Sequence, residues 1–191
     1  MFGYLKGEVT EVMENSLILE CNGVGYELFV STTTLAKYIV GSSVKLYTYL
    51  QINDSEVFMY GFYSRDEKNM FLKLITISGI GPKLAISILS GIELEQLVYV
   101  IASEDVKQLS TIKGVGKKTA ERIVLELKGK VEIGDFKGAD KFSSAINDAI
   151  LALTSLGFTR ADAVKAVSKA SEKYKTTEEI IQYSLKIVNR I

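Results

Sequence analysis

The sequence predicts an α+β protein of several domains, and three observations carry that prediction. The first 63 residues fall into short runs rich in Val, Leu, Tyr and Phe, broken by Gly, Asn, Asp and Ser, as small β structures do. A helix–turn–helix stretch then occurs twice in register. The chain closes with three runs whose apolar residues recur at helical spacing.

Residues 1–63 are expected to form a β domain. Strands are predicted over residues 4–9, 16–20, 25–30, 44–52 and 56–62. Asn22-Gly23 between the second and third is a strong hairpin signal. Residues 32–39 read as a short helix, and Asn53-Asp54-Ser55 as the turn joining the last two strands. Five short strands with one small helix suggest a Greek-key barrel of the OB type. Tyr47, Tyr49, Phe58, Tyr60 and Phe62 alternate along the strands and are assigned mostly to core or interface rather than to base stacking.

Residues 64–129 are expected to be all-α and compact. Ser64-Arg65-Asp66-Glu67 has capping-box spacing, followed by the apolar Met70, Phe71, Leu74 and Ile75. Residues 74–88 read LITISGIGPKLAISI, and residues 109–123 read LSTIKGVGKKTAERI. The copies share Leu74/Leu109, Thr76/Thr111, Ile77/Ile112, Gly79/Gly114, Gly81/Gly116, Lys83/Lys118, Ala85/Ala120 and Ile88/Ile123, at one constant offset. Each copy is a short helix, a Gly-x-Gly turn and a second helix. Pro82 stands where the second helix of the first copy begins, its preferred place. Gly91 and Gly129 are natural stops.

A turn that opens onto a helix N-terminus presents unpaired N–H groups and the positive end of the macrodipole, which favour an anion. Lysines there oppose the dipole unless an anion is present. The candidate phosphate-binding residues are therefore Gly79, Ile80, Gly81 and Lys83 in the first copy, and Gly114, Val115, Gly116, Lys117, Lys118 and Arg122 in the second. This is the pattern of a tandem helix-hairpin-helix domain, which grips nucleic-acid backbone without reading bases. The ATP-binding loop is excluded, because Gly116-Lys117 is followed by Lys118 rather than Ser or Thr.

Residues 130–141, with Gly134 and Gly138, read as a flexible linker, and residues 142–191 as a three-helix domain. Phe142, Ile146, Ala149, Ile150 and Leu153 define its first helix, and Gly157 ends it. Residues 159–170 form the second, and Thr176 to Glu179 can cap a third. The Leu156-Gly157-Phe158 turn resembles the exposed loop of ubiquitin-associated (UBA) domains, which bind protein partners. Equally, Leu156 and Phe158 could close their own small core.

Composition narrows the function. There is no histidine and a single cysteine, Cys21, so imidazole catalysis, His or Cys metal sites and an internal disulfide are all excluded. This weighs against an enzyme, although carboxylate–Mg²⁺ chemistry stays open, and no catalytic residue, metal or cofactor is assigned. No run approaches the ~20 apolar residues of a membrane span, and no signal peptide is visible, so a cytoplasmic protein with no membrane partner is expected. The net charge is zero but unevenly spread. Residues 1–64 carry 3 basic and 7 acidic side chains, whereas residues 65–130 carry 11 and 8. A neutral total thus hides a basic segment where the hairpins lie.

Taken together, Ser78-Gly79-Ile80-Gly81-Pro82-Lys83-Leu84-Ala85 and residues 114–122, GVGKKTAER, resemble the RuvA family of bacterial Holliday-junction-binding subunits. Met1-Phe2-Gly3-Tyr4-Leu5-Lys6-Gly7 and Tyr60-Gly61-Phe62 match it too, so the resemblance runs the length of the chain. It implies a non-catalytic subunit of the branch-migration complex of DNA recombination, repair and the SOS response. It also implies a four-fold homotetramer, one or two to a junction, that binds four-way junction DNA. An acidic pin on the barrel hairpin helps part the strands, and the C-terminal domain contacts the ATPase motor RuvB. Two departures stand out. The family's pin usually carries adjacent acids, whereas this chain has Asp54-Ser55-Glu56, so Asp54 and Glu56 are the pin candidates. Lys113 stands where proline usually precedes the second hairpin's first glycine. Leu156 and Phe158 are the motor-contact candidates.

Two alternatives compete. A helix-hairpin-helix DNA-repair enzyme such as a glycosylase needs a catalytic Asp, usually in a Pro-containing loop beyond a hairpin. Here no proline follows Pro82, and the next Asp after the second hairpin is Asp135. A DNA-independent adaptor built on the C-terminal helices would leave the doubled, lysine-bearing turns without a purpose.

Overall fold

A computed structural model describes residues 2–53, 56–131, 136 and 139–188 of the chain. The described residues pack as two compact units, one of residues 1–94 and 104–130, the other of residues 95–103 and 131–191. Both β and α elements are present, in the order expected of an α+β chain.

The first unit opens with five strands, β1 (Tyr4–Val12), β2 (Ser16–Cys21), β3 (Val24–Phe29), β4 (Ser43–Ile52) and β5 (Val57–Phe62). They close into a barrel in the order β1-β2-β3-β5-β4. All pairings are antiparallel except β3 with β5, which meet in parallel at Phe29 and Tyr60. Asn22 and Gly23 both have positive φ and make the two-residue β2–β3 turn. Val9, Leu17, Leu19, Leu28, Val30, Val44 and Leu46 fill the barrel from alternate positions. The helix expected over residues 32–39 is only one turn, α1 (Thr32–Leu35). Beyond it the bonds tighten to Lys37 N–H on Thr34 O and Tyr38 N–H on Leu35 O, so the chain turns instead of propagating the helix.

The hairpin helices complete this unit. They are α2 (Arg65–Ile75), α3 (Pro82–Gly91), α5 (Val106–Leu109) and α6 (Lys117–Leu127), with α4 (Leu94–Ala102) intervening in sequence. Ser64 caps α2 by accepting from the Glu67 N–H at 3.0 Å. The reciprocal half of the expected capping box is not made. The Glu67 carboxylate turns instead to the Tyr63 N–H and to the hydroxyls of Ser31 and Thr34.

The second unit holds Glu95–Ser103, which is most of α4 and the residue after it, with α7 (Ala139–Ser155), α8 (Arg160–Ser171) and α9 (Thr177–Val188). Leu97, Val98, Val100 and Ile101 are all fully buried. These side chains give α4 a wide apolar face, which packs with the C-terminal segment in one unit. Gln96 donates to the Ser171 carbonyl at 3.0 Å, and the rings of Tyr99 and Phe142 meet edge-on at 5.8 Å. Phe142, Ile146, Ala149, Leu153, Ala163, Val167, Ala170 and Ile180 form the core. Most of the expected linker, with Gly134 and Gly138, lies outside the described residues. Val131 and Phe136 are buried.

Candidate nucleic-acid interface

The two Gly-x-Gly turns are built alike. Gly79 and Gly114 have φ of +88° and +87°, a region that side chains with a Cβ rarely occupy. Thr76 and Thr111 each return their hydroxyl to a carbonyl three residues back, at 2.7 Å. The Ile80 N–H closes on Ile77 O and the Val115 N–H on Ile112 O. Ile80 and Val115 are buried. Both are thus anchors of their turns, and neither offers its side chain or its amide to a ligand.

Gly81 and Gly116 are the N-caps of α3 and α6, and no side chain caps either helix. Their φ values, −87° and −78°, suit any residue. A Cβ at either would meet nothing within 4 Å. Neither conformation nor protein packing therefore demands glycine. An approaching ligand would, because the first-turn N–H groups have no intrahelical partner.

The turns are braced to each other by repeat-equivalent residues. Ser87 of α3 donates to the Lys113 carbonyl at 3.0 Å. Arg122 of α6 donates to the Ser78 carbonyl at 2.7 Å. Ser87 and Arg122 occupy the same place in the repeat, as do Ser78 and Lys113. Each hairpin's second helix thus holds the other hairpin's turn. The two hairpins pack so closely that a Cβ on Gly91 would lie 2.8 Å from Ile112 Cγ2.

The brace makes two concavities. One, of about 240 Å³, is lined by Ser78, Gly79, Lys118, Thr119 and Arg122. The other contains the repeat-equivalent Lys113, Gly114, Lys83 and Ser87. Of the expected basic residues, Lys83 lines one and Lys118 and Arg122 the other, while Lys117 lines neither. Lys118 is exposed and makes no ion pair among the described residues, whereas Lys117 lies 3.9 Å from Glu121 and Arg122 lies 4.0 Å from Glu126. Lys83 rests over the Phe58 ring at 5.0 Å. Among the described residues, no group of three or more His, Cys, Asp or Glu is placed to hold a metal ion.

Asp54 lies outside the described residues. Glu56 is exposed, and its carbonyl accepts the Asn53 N–H at 2.9 Å across the tip of the β4–β5 hairpin. Ile52 and Val57, paired just below the tip, are 69% and 66% exposed, so this end of the hairpin stands clear of the barrel. The two motor-contact candidates part company. Phe158 packs against the C-terminal core, while Leu156 is 63% exposed.

Sequence inspection missed the residues that position the first hairpin. Thr32 N–H and its hydroxyl reach the Ser90 hydroxyl and carbonyl at 3.1 and 3.2 Å, and the Thr33 hydroxyl reaches Leu89 O at 3.0 Å. Barrel helix α1 thereby ties down the C-terminal end of α3, the helix whose other end is the first Gly-x-Gly turn. Glu67 locks the same corner. It is 1% exposed and accepts from Ser31 at 2.7 Å and from Thr34 and Tyr63 N–H at 2.9 Å. Burial pushes its carboxyl above the ordinary range, against the pull of those donors and of Lys37. The run Ser31-Thr32-Thr33-Thr34 signals a helix start, but nothing in the sequence pairs it with Glu67 or Ser90.

Family models match along the chain: RuvA N terminal domain over residues 1–61, SAM-like helix-hairpin-helix tandem over 71–130, and RuvA C-terminal domain over 144–188. A protein of Pseudomonas savastanoi pv. phaseolicola named Holliday junction branch migration complex subunit RuvA is 40% identical, covering 97% of this chain and 98% of that one. Proteins of the same name from Acetivibrio thermocellus and Alkaliphilus oremlandii are 39% and 38% identical over the same shares. These relatives do not support the glycosylase alternative. The turns, the barrel before them and the helices after them are thus those of one family, and the chain belongs to the RuvA family.

Proposed function

We propose that the chain is the Holliday-junction-binding subunit of the RuvA–RuvB branch-migration complex, acting on DNA in the cytoplasm during recombination and repair. It performs no covalent chemistry. The observation that carries this is the braced pair of lysine-bearing turns, each with a helix N-terminus that no side chain caps and a glycine that leaves the first-turn amides open. Phosphates bound there are held by first-turn amides and by Lys83, Lys117, Lys118 and Arg122. Such interactions position a duplex arm without reading its sequence.

Four copies in a homotetramer, one or two tetramers to a junction, hold the four arms in this way. The β4–β5 tips, with Asp54 and Glu56, then meet where the strands cross. Their charge repels phosphate and keeps the centre open, so the acids contribute preference for a junction at the expense of raw affinity. The C-terminal helices recruit the motor, with Leu156 as the outward-facing side chain. Phe158 supports that loop from within.

Lys118→Ala tests the phosphate role. Removing one lysine–phosphate interaction lowers the slope of log K against log salt by about 0.9 per protomer engaged. The reduction is the same for all junction sequences. Unchanged affinity and slope would remove Lys118 from the site.

A further inference from the structure

The two cradles are repeat-equivalent but do not end alike. The one around Lys118 and Arg122 is small. The one around Lys83 and Lys113 opens into a groove of about 690 Å³ whose far wall is the barrel. That wall is aromatic. Phe29, Phe58 and Tyr60 line it, with ring centroids 5.6 to 6.5 Å apart. Ile86 and Ser87 of α3 form the opposite side, and among the described residues no carboxylate lines the groove. Its volume is that of a small-molecule site, of the order of 300–1,000 Å³.

We propose that this groove is a binding site for one unpaired nucleotide displaced at the junction centre, its base stacked on Phe58 and its phosphate on Lys83 and Lys113. The proposal rests on the junction-binding function above. Three features fit that occupant. The lining is apolar and aromatic, as a base face requires. The charged residues that line it, Lys83 and Lys113, are both cationic, one from each hairpin turn. Phe58 lies two residues from Glu56, so the groove begins beside the hairpin tip that meets the parted strands.

Lys83 links the two halves of the site. Its ammonium lies over the Phe58 ring at 5.0 Å. A phosphate at the Gly81 turn draws the ammonium away and uncovers the ring for a base. This departs from the sequence-based assignment of the barrel aromatics, which places most of them in core or interface. Tyr60 and Phe62 are indeed buried, but Phe58 is not.

The test uses the full chain and two four-way junctions, each with one extra unpaired residue at the exchange point. In one that residue is thymidine, and in the other an abasic sugar. The thymidine junction should bind about tenfold tighter, as stacking of one base on an aromatic side chain provides. Phe58→Leu should bring the ratio of the two affinities close to one. Equal binding of the two junctions by the parent chain overturns the proposal, as does a Phe58→Leu chain that keeps the tenfold ratio. If neither junction is bound in a salt-dependent way, the hairpin function fails and the proposal fails with it. Salt-dependent binding with equal affinities refutes the nucleotide site alone.

Discussion

Replacing Gly81 or Gly116 with alanine separates the demands of the fold from those of a ligand. Both residues already have φ and ψ that alanine adopts, and the added Cβ meets no protein atom within 4 Å. Alanine restricts the unfolded chain, which stabilises by about 0.4–1 kcal/mol. It is also a poorer N-cap than glycine by some tenths of a kcal/mol. The two offset, and stability should change by less than about 0.5 kcal/mol. Binding should change far more, because the methyl stands where a phosphate oxygen must approach the first-turn amides. A hydrogen bond to a charged group contributes about 1.5–3 kcal/mol, so each substitution should weaken junction binding by roughly tenfold or more per protomer. Gly79→Ala and Gly114→Ala are the controls with the opposite pattern. Their positive φ costs an L-residue about 1–2 kcal/mol, and at Gly114 the Cβ also presses on Leu84 Cδ1 at 3.1 Å. These two should lower the melting temperature. The assay is fluorescence anisotropy with a labelled junction, alongside thermal denaturation. Parent-like junction affinity in Gly81→Ala and Gly116→Ala would refute the claim that those amides hold phosphate.

Asp54→Asn with Glu56→Gln nearly preserves shape and removes charge, so linear duplex should bind more tightly at low salt and junction preference should fall. The effect should shrink near 1 M salt, where the Debye length is about 3 Å. No gain in duplex binding would mean that these acids are not the pin. Glu67 should make stability depend on pH. Its folded carboxyl titrates above its unfolded value, so the folded state binds more protons in that window. Stability should therefore fall as pH rises from the ordinary glutamate range through the raised folded value, and level off above it. Glu67→Gln lacks this component, and urea titrations of parent and variant that stay parallel across the window would contradict it. Leu156→Ser in the full chain should leave junction binding intact and weaken stimulation of the RuvB motor, measured as ATP-driven branch migration. A point substitution is preferable to truncation after Gly129, because Gln96 and Tyr99 pack on residues that truncation would remove. Full motor coupling in Leu156→Ser would dismiss Leu156 as the motor's docking point.

The parts of this protein that were legible in its sequence are those set by local chemistry. Asn22-Gly23 fixed a hairpin, Pro82 a helix start, and the doubled Gly-x-Gly a pair of turns. What stayed hidden depends on which surfaces meet. Ser87 and Arg122 are unlike residues at equivalent places, so the repeat comparison passes over them, yet both donate to the opposite turn. Glu67 has capping-box spacing, but three donors from the barrel side outcompete the Ser64 amide for its carboxylate. The sequence could not show that α4 would take its cover from helices far along the chain. Leu156 and Phe158 flank one glycine, and only the packed core distinguishes the exposed side chain from the one that packs against it.

We propose that the braced hairpins hold phosphates of a four-way junction. The most direct test is a comparison, at one salt concentration, of binding to a four-way junction and to linear duplex of equal length and composition, with the stoichiometry of the bound species. Clear preference for the junction is expected, with salt-dependent binding to both and four or eight chains per junction. Equal affinity for the two DNAs, or one chain per junction, would contradict it.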